Sequence, residues 1–219
     1  MKPEKTHENI ILCFCKHPIA GLVKSRLAKD IGDQPAAEIY TTLLDETIKT
    51  LGNLDLKVFL YCYPDTQHPT LKHYASEFNL ILVKQQGEDL GMKMYNAFEN
   101  HLNTVSNKTN LVLIGTDCLD IDTAYIHKAF EHLHTGSDIV LGPATDGGYA
   151  LIGANRIDQS IFENVNWSTN QVLKQTEENI KKLKWKYSLL SPVRDLDNLQ
   201  DYEYFSTQDK FQHLFKQYP

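Results

Sequence analysis

Short apolar runs rich in strand formers alternate with segments of helical period along most of this chain. The runs NIILCFC (9–15), LKVFLYCY (56–63), NLILVKQ (79–85) and NLVLIGTD (110–117) are each followed by a stretch of three-to-four-residue apolar spacing. Between residues 33 and 51 that stripe is Ala36, Tyr40, Leu43, Leu44, Thr47, Ile48 and Leu51. Shorter or equal stripes occupy 71–78, 90–102 and 123–133, and DIVLGPA (138–144) and YALIGA (149–154) add two strands. A strand that hands over to a helix each time cannot close as hairpins. The helix carries the chain back, and the next strand lies parallel to the last. The expected fold is α/β, a mainly parallel central sheet with helices on both faces. The run 110–117 is apolar without alternation, as for a strand buried on both faces.

After Gly153 the rhythm changes. Residues 168–183 read as a helix opened by a capping box of Ser168 and Gln171. WKYSLL (185–190) reads as a late strand, and two polar amphipathic segments end the chain. No linker composition and no internal repeat divides the 219 residues, so a single domain over 1–219 is expected.

Charge and motif content exclude several classes. A net charge of −6 argues against a nucleic-acid partner. No stretch approaches the roughly 20 apolar residues of a membrane span. The first apolar run is too short for a secretory signal, so a cytoplasmic location is expected. The four cysteines sit mostly in strand runs and read as small core residues, with no second Cys/His pair at zinc spacing. The histidines lack ligand spacing, and no G-x-S-x-G elbow supports a hydrolase triad.

In an open α/β sheet, ligands bind beyond the carboxyl ends of the strands. Four polar loops fall there. KHPIAGLVKSRLA holds Lys16, Gly21, Lys24 and Arg26, either a phosphate cradle or a solvated basic loop. QQGEDLGMKM holds Gly87 and Gly91 around Glu88 and Asp89, with Asp89 suited to a helix N-terminus. In LIGTDCLDID, Asp117 ends the buried strand, where a carboxylate suits Mg²⁺ or Mn²⁺, while Asp120 and Asp122 read as helix caps. In RDLDNLQDY, Asp195 and Asp197 are two apart, so an extended segment turns both carboxylates to one side. Trp167 is either a stacking platform or a core residue.

GPATDGGYALIG (142–153) sets Asp146, Gly147, Gly148 and Tyr149 between two strands. It reads either as a glycine hairpin supported by Asp146 or as the acceptor side of a site, with Asp146 orienting or deprotonating a hydroxyl.

The segments FCKHPIAGLVKSRLA, GTDCLD, GPATDGGYALIG, WST and RDLDN, in that order, resemble the radical-SAM/selenodomain-associated transferases, a family with arsenosugar-biosynthesis glycosyltransferases. That resemblance spans roughly residues 9–205 and implies the GT-A, nucleotide-diphospho-sugar transferase fold. The KSRLA element also resembles the phospholactate guanylyltransferases. Carried over by motif, Lys16, Gly21, Lys24 and Arg26 meet nucleotide phosphates; Gly87 is assigned to the nucleotide side by the place of its loop after the third strand, not by motif. Asp117, Asp195 and Asp197 bind Mg²⁺ or Mn²⁺, and Gly147, Gly148, Tyr149 and Trp167 line the acceptor side. Leu119 replaces a usual proline, His17 a usual small residue, and Ser25 a common threonine.

The implied activity is a metal-dependent glycosyltransferase using a nucleotide sugar and a small-molecule acceptor. The alternative is a nucleotidyltransferase that joins an NTP to a phosphorylated small molecule with pyrophosphate release. A non-enzymatic nucleotide sensor is disfavoured by Lys24, Arg26, Asp117 and Asp197 occurring together.

Overall fold

A computed structural model of the chain describes residues 8–102 and 109–215. The first seven residues, which enter the reading of location, lie outside the described residues. The strands are β1 (Glu8–Lys16), β2 (Lys57–Tyr63), β3 (Ile81–Lys84), β4 (Thr109–Ile114), β5 (Ile139–Pro143), β6 (Tyr149–Ala154) and β7 (Tyr187–Leu189). They form one sheet in the order β3-β2-β1-β4-β6-β5-β7. All neighbours pair in parallel except β6, which is antiparallel to both β4 and β5. The mainly parallel α/β sheet is therefore as the rhythm requires. Only the β5–β6 hairpin, where no helix intervenes, reverses direction.

The helices are α1 (Ser25–Ile31), α2 (Asp33–Gly52), α3 (Pro69–Glu77), α4 (Leu90–Leu102), α5 (Thr123–His134), α6 (Val172–Lys182) and α7 (Leu199–Ser206). Alternation along β1 and β4 feeds two apolar layers. Ile11, Cys13, Val112 and Ile114 face Leu44, Leu71 and Ile126 of α2, α3 and α5. Ile10, Leu12, Leu111 and Leu113 face Met94, Phe98 and Ile180 of α4 and α6. All six residues of β4 are buried, as expected for the central strand. Each fully buried Leu or Ile contributes roughly 1.5–3 kcal/mol, so these layers need no covalent staple. The four cysteines are buried and free.

One expected cap is not formed. Helix α6 begins at Val172, four residues after Ser168, and no side chain caps it. Ser168 instead sits in a left-handed conformation, φ 64°. Residues 166–171 are held as a turn, where Thr169 Oγ1 donates to Asn166 O and Gln175 Oε1 accepts from Asn166 N. A reciprocal capping box does open α7, between Asn198 and Asp201. Asp122 caps α5 by accepting from Tyr125 N, as expected. Asp120 accepts from Arg194 N at 3.4 Å instead.

Candidate active site

Parallel strands end together, so the loops after β1, β2, β3, β4, β5 and β7 and the start of β6 meet at one edge of the sheet. A cavity of about 670 Å³ opens there, within the range of small-molecule sites.

Its acidic side is assembled by backbone bonds that no local pattern encodes. Beyond β7, Val193 N donates to Pro143 O, Thr145 N donates to Val193 O, and Leu196 N donates to Asp117 O at 2.8 Å. Leu196 is fully buried with Leu27, Ile39 and Leu43. Its neighbours Asp195 and Asp197 are thereby turned the other way, into the cavity wall with Asp117 and Asp146. The expected one-sided display of Asp195 and Asp197 is what the segment adopts.

Lys24 reaches into this cluster. Its Nζ pairs with Asp117 Oδ1, lies 3.4 Å from Asp197 Oδ1 and donates to Leu196 O at 2.6 Å. The side chain is only 3% exposed. Burial acts to lower its pKa, but Asp117, Asp197 and Asp195 together hold it above the ordinary value. Arg26, half-exposed, lies 3.5 Å from Asp197 Oδ2. Asp195 is pushed up to about 7, first by burial, then by the charges of Asp117, Asp197 and Asp146, with Lys24 opposing.

Another part of the wall is basic and aromatic. Lys16 ends β1, and Lys93 Nζ of α4 lies 4.3 Å from the centroid of the Tyr63 ring. Burial, then the charge of Lys16, lowers the pKa of Lys93. Neither lysine has an ion-pair partner among the described residues. Gln85 Nε2 donates to Cys15 O and Tyr61 O, tying the ends of β1, β2 and β3 together. Tyr40 of α2 does the same for β1 and β4, since Lys16 N and Thr116 Oγ1 both donate to its hydroxyl. Lys93, Gln85 and Tyr40 were not singled out by motif. Tyr40 and Lys93 read as ordinary helical positions, and only the packing of α2 and α4 on the strand ends turns them inward.

The remaining sequence candidates are divided. Gly148, Tyr149 and Trp167 line the cavity. Trp167 packs on Gly91 of α4, where an added Cβ would come within 2.7 Å of the indole. The Tyr149 ring also joins the α4–α6 layer, and its buried hydroxyl lies beside that of Thr176. Gly147, at φ 92°, faces Asn170, whose carbonyl oxygen would lie 2.4 Å from an added Cβ. Its own carbonyl accepts from Leu173 N of α6. The close approach to the backbone of Gly147 is thus made by the chain itself. Gly87 packs over the first turn of α4, and Gly21, in the loop after β1, lies at φ 81° near the Asp33 side chain; neither is part of the cavity wall. Asp146 is exposed, with one oxygen accepting from Gly148 N at 2.8 Å. The Asp89 carboxylate accepts from Met92 N, as a helix-start residue does. His17 is 7% exposed and its Nε2 lies 2.8 Å from Asp65 O.

Among the described residues, no three His, Cys, Asp or Glu side chains are gathered around one point. The expected set of Asp117, Asp195 and Asp197 is interrupted by the Lys24 ammonium. The donors around that ammonium are nonetheless two carboxylate oxygens and one carbonyl oxygen. Such an all-oxygen set fits a hard divalent cation.

A family described as an uncharacterized protein conserved in bacteria (DUF2064) matches residues 46–169. No curated protein matches the chain. A crystal structure from Desulfovibrio desulfuricans G20, provisionally described as a nucleotide-diphospho-sugar transferase, is 25% identical, with TM-score 0.83 over 94% of this chain and 91% of that one. A cytidylyltransferase from Leptospira borgpetersenii is 14% identical, with TM-score 0.54 over 90% and 84%. Glucosyl-3-phosphoglycerate synthase from Mycobacterium tuberculosis, solved with Mn²⁺, UDP and glucosyl-3-phosphoglycerate, is 8% identical, with TM-score 0.53 over 91% and 75%. The fold is that of the GT-A nucleotide-diphospho-sugar transferases. No helix among the described residues is long and apolar enough to cross a membrane.

Proposed function

The chain belongs to the DUF2064 family, and we propose that it is a metal-dependent glycosyltransferase with a nucleotide-sugar donor and a small-molecule acceptor. The carrying observation is one cavity whose wall has an acidic part, Asp117, Asp146, Asp195 and Asp197, and a basic part, Lys16 and Lys93. A cation and a polyanion bound side by side satisfy both parts; a neutral ligand satisfies neither. The motif order shared with the radical-SAM-associated transferases supports glycosyl transfer. The Mn²⁺ and UDP in a protein of this fold support the ligand class.

In this reading Lys16, Lys93 and Arg26 hold the donor's phosphates and stabilise charge developing on the leaving diphosphate. Asp117 and Asp197 hold Mg²⁺ or Mn²⁺, which supplies Lewis-acid stabilisation of that same charge when bound. The free oxygen of Asp146 accepts a hydrogen bond from the acceptor hydroxyl and draws off its proton. Trp167 and Gly148 form the wall beside it.

Calorimetry tests the donor site. Asp117→Asn should abolish Mn²⁺-dependent binding of UDP or GDP; unchanged affinity defeats the metal role. Product analysis tests the reaction. Release of nucleoside diphosphate from nucleotide sugars supports this reading, whereas pyrophosphate release from an NTP establishes the nucleotidyltransferase alternative.

A further inference from the structure

Lys24 and a metal ion compete for one place. The ammonium is bonded by the oxygens of Asp117, Asp197 and Leu196, the same donors a divalent ion would use. Two cations cannot share them at bonding distance. The backbone of Lys24 is left-handed, φ 50° and ψ 43°, at the start of α1. A non-glycine residue held there stores strain that its surroundings must maintain. The strain and the buried ion pairs are separate observations, and both single out this lysine.

We infer that Lys24 is an internal counter-ion that keeps the metal position filled until a nucleotide arrives, making it the positioning residue that couples metal and donor binding. A buried ammonium stripped of its carboxylates is costly, so a metal ion alone displaces it poorly. Donor phosphates change that balance. Lys24 lines the same cavity as Lys16 and Arg26, so its head exchanges one set of anionic oxygens for another. The divalent ion takes the vacated carboxylates, and the net charge of the cluster becomes less negative. Coupling of this kind is reciprocal: nucleotide tightens metal binding, and metal tightens nucleotide binding by the same factor. This inference rests on the metal site proposed above.

The test is Mn²⁺ titration followed by the electron paramagnetic resonance signal of the free ion, with and without UDP or GDP. Lys24→Met removes the competing charge at similar volume, and Lys24→Gln is a second neutral variant should the first fail to fold. Without nucleotide, either folded variant should bind Mn²⁺ at least about tenfold more tightly than the unmutated chain, a shift within the usual range of coupling energies. Nucleotide should raise Mn²⁺ affinity in the unmutated chain by a larger factor than in the variant. Equal or weaker Mn²⁺ binding by the variants overturns the counter-ion role while leaving the metal site intact. No Mn²⁺ binding by any chain, even with nucleotide, overturns both.

Discussion

Single side chains at this site act through charge that is only partly balanced. Lys16 and Lys93 face one cavity without a carboxylate partner among the described residues, so a bound polyanion relieves their repulsion. Lys93→Gln should weaken nucleotide binding roughly tenfold, the loss expected for one hydrogen bond to a charged group. Calorimetry in low and high salt checks it, since the difference should shrink as salt rises. Asp146 is a different case. It supports its own turn through Gly148 N and also lines the cavity. Asp146→Asn should lower turnover while sparing donor affinity; a lower melting temperature with unchanged turnover would assign it to the turn alone.

Asp195 carries a pH signature. Its pKa is pushed up to about 7, above the ordinary carboxyl value near 4. Between those values the folded chain keeps a proton that the unfolded chain has released. Stability from this group therefore falls as pH rises through that window. In metal-free protein, Asp195→Asn should melt higher than the unmutated chain near pH 8 and match it near pH 4. Thermal melts across the range measure the convergence.

At the scale of elements, the DGGY turn is a joint between the sheet and α6. Gly147 O receives Leu173 N, and Gly147 packs on the backbone of Asn170. Gly147→Ala adds a methyl group where the backbone of Asn170 already stands, at a φ of 92° that side chains rarely adopt. It should cost about 2–4 kcal/mol in urea denaturation and loosen the Trp167 wall. Both glycines and Asp146 were legible as unusual chemistry between two strands. Which glycine meets the cavity and which meets Asn170 was not legible, because the partner lies more than twenty residues away. The missing Ser168 capping box has the same origin. Its local pattern is sound, but residues 166–171 answer to Gln175 and to the packing of Trp167 on Gly91.

Across the whole molecule, Leu196 links fold and site. It is fully buried with α1, α2 and α7, and its amide is bonded to Asp117 O. Leu196→Ala should destabilise the chain by about 2–5 kcal/mol, as large-to-small core changes do. It should also weaken Mn²⁺-nucleotide binding more than a comparably destabilising change distant from the site, such as Phe98→Ala; paired melts and calorimetry compare them.

The amino-acid order alone determined the α/β class, the parallel β1-to-β4 half of the sheet, the burial of β4 and the positions of the polar loops. These follow from periods of 2 and 3.6 residues, which are local properties of backbone geometry. Tertiary structure alone decided that Lys24 sits among the carboxylates rather than free for phosphate, that Lys93 and Tyr40 face the site, and that Gly147 is closed by Asn170. Each of these depends on a contact between segments distant in sequence. Charge balance and close packing are settled only when such segments meet.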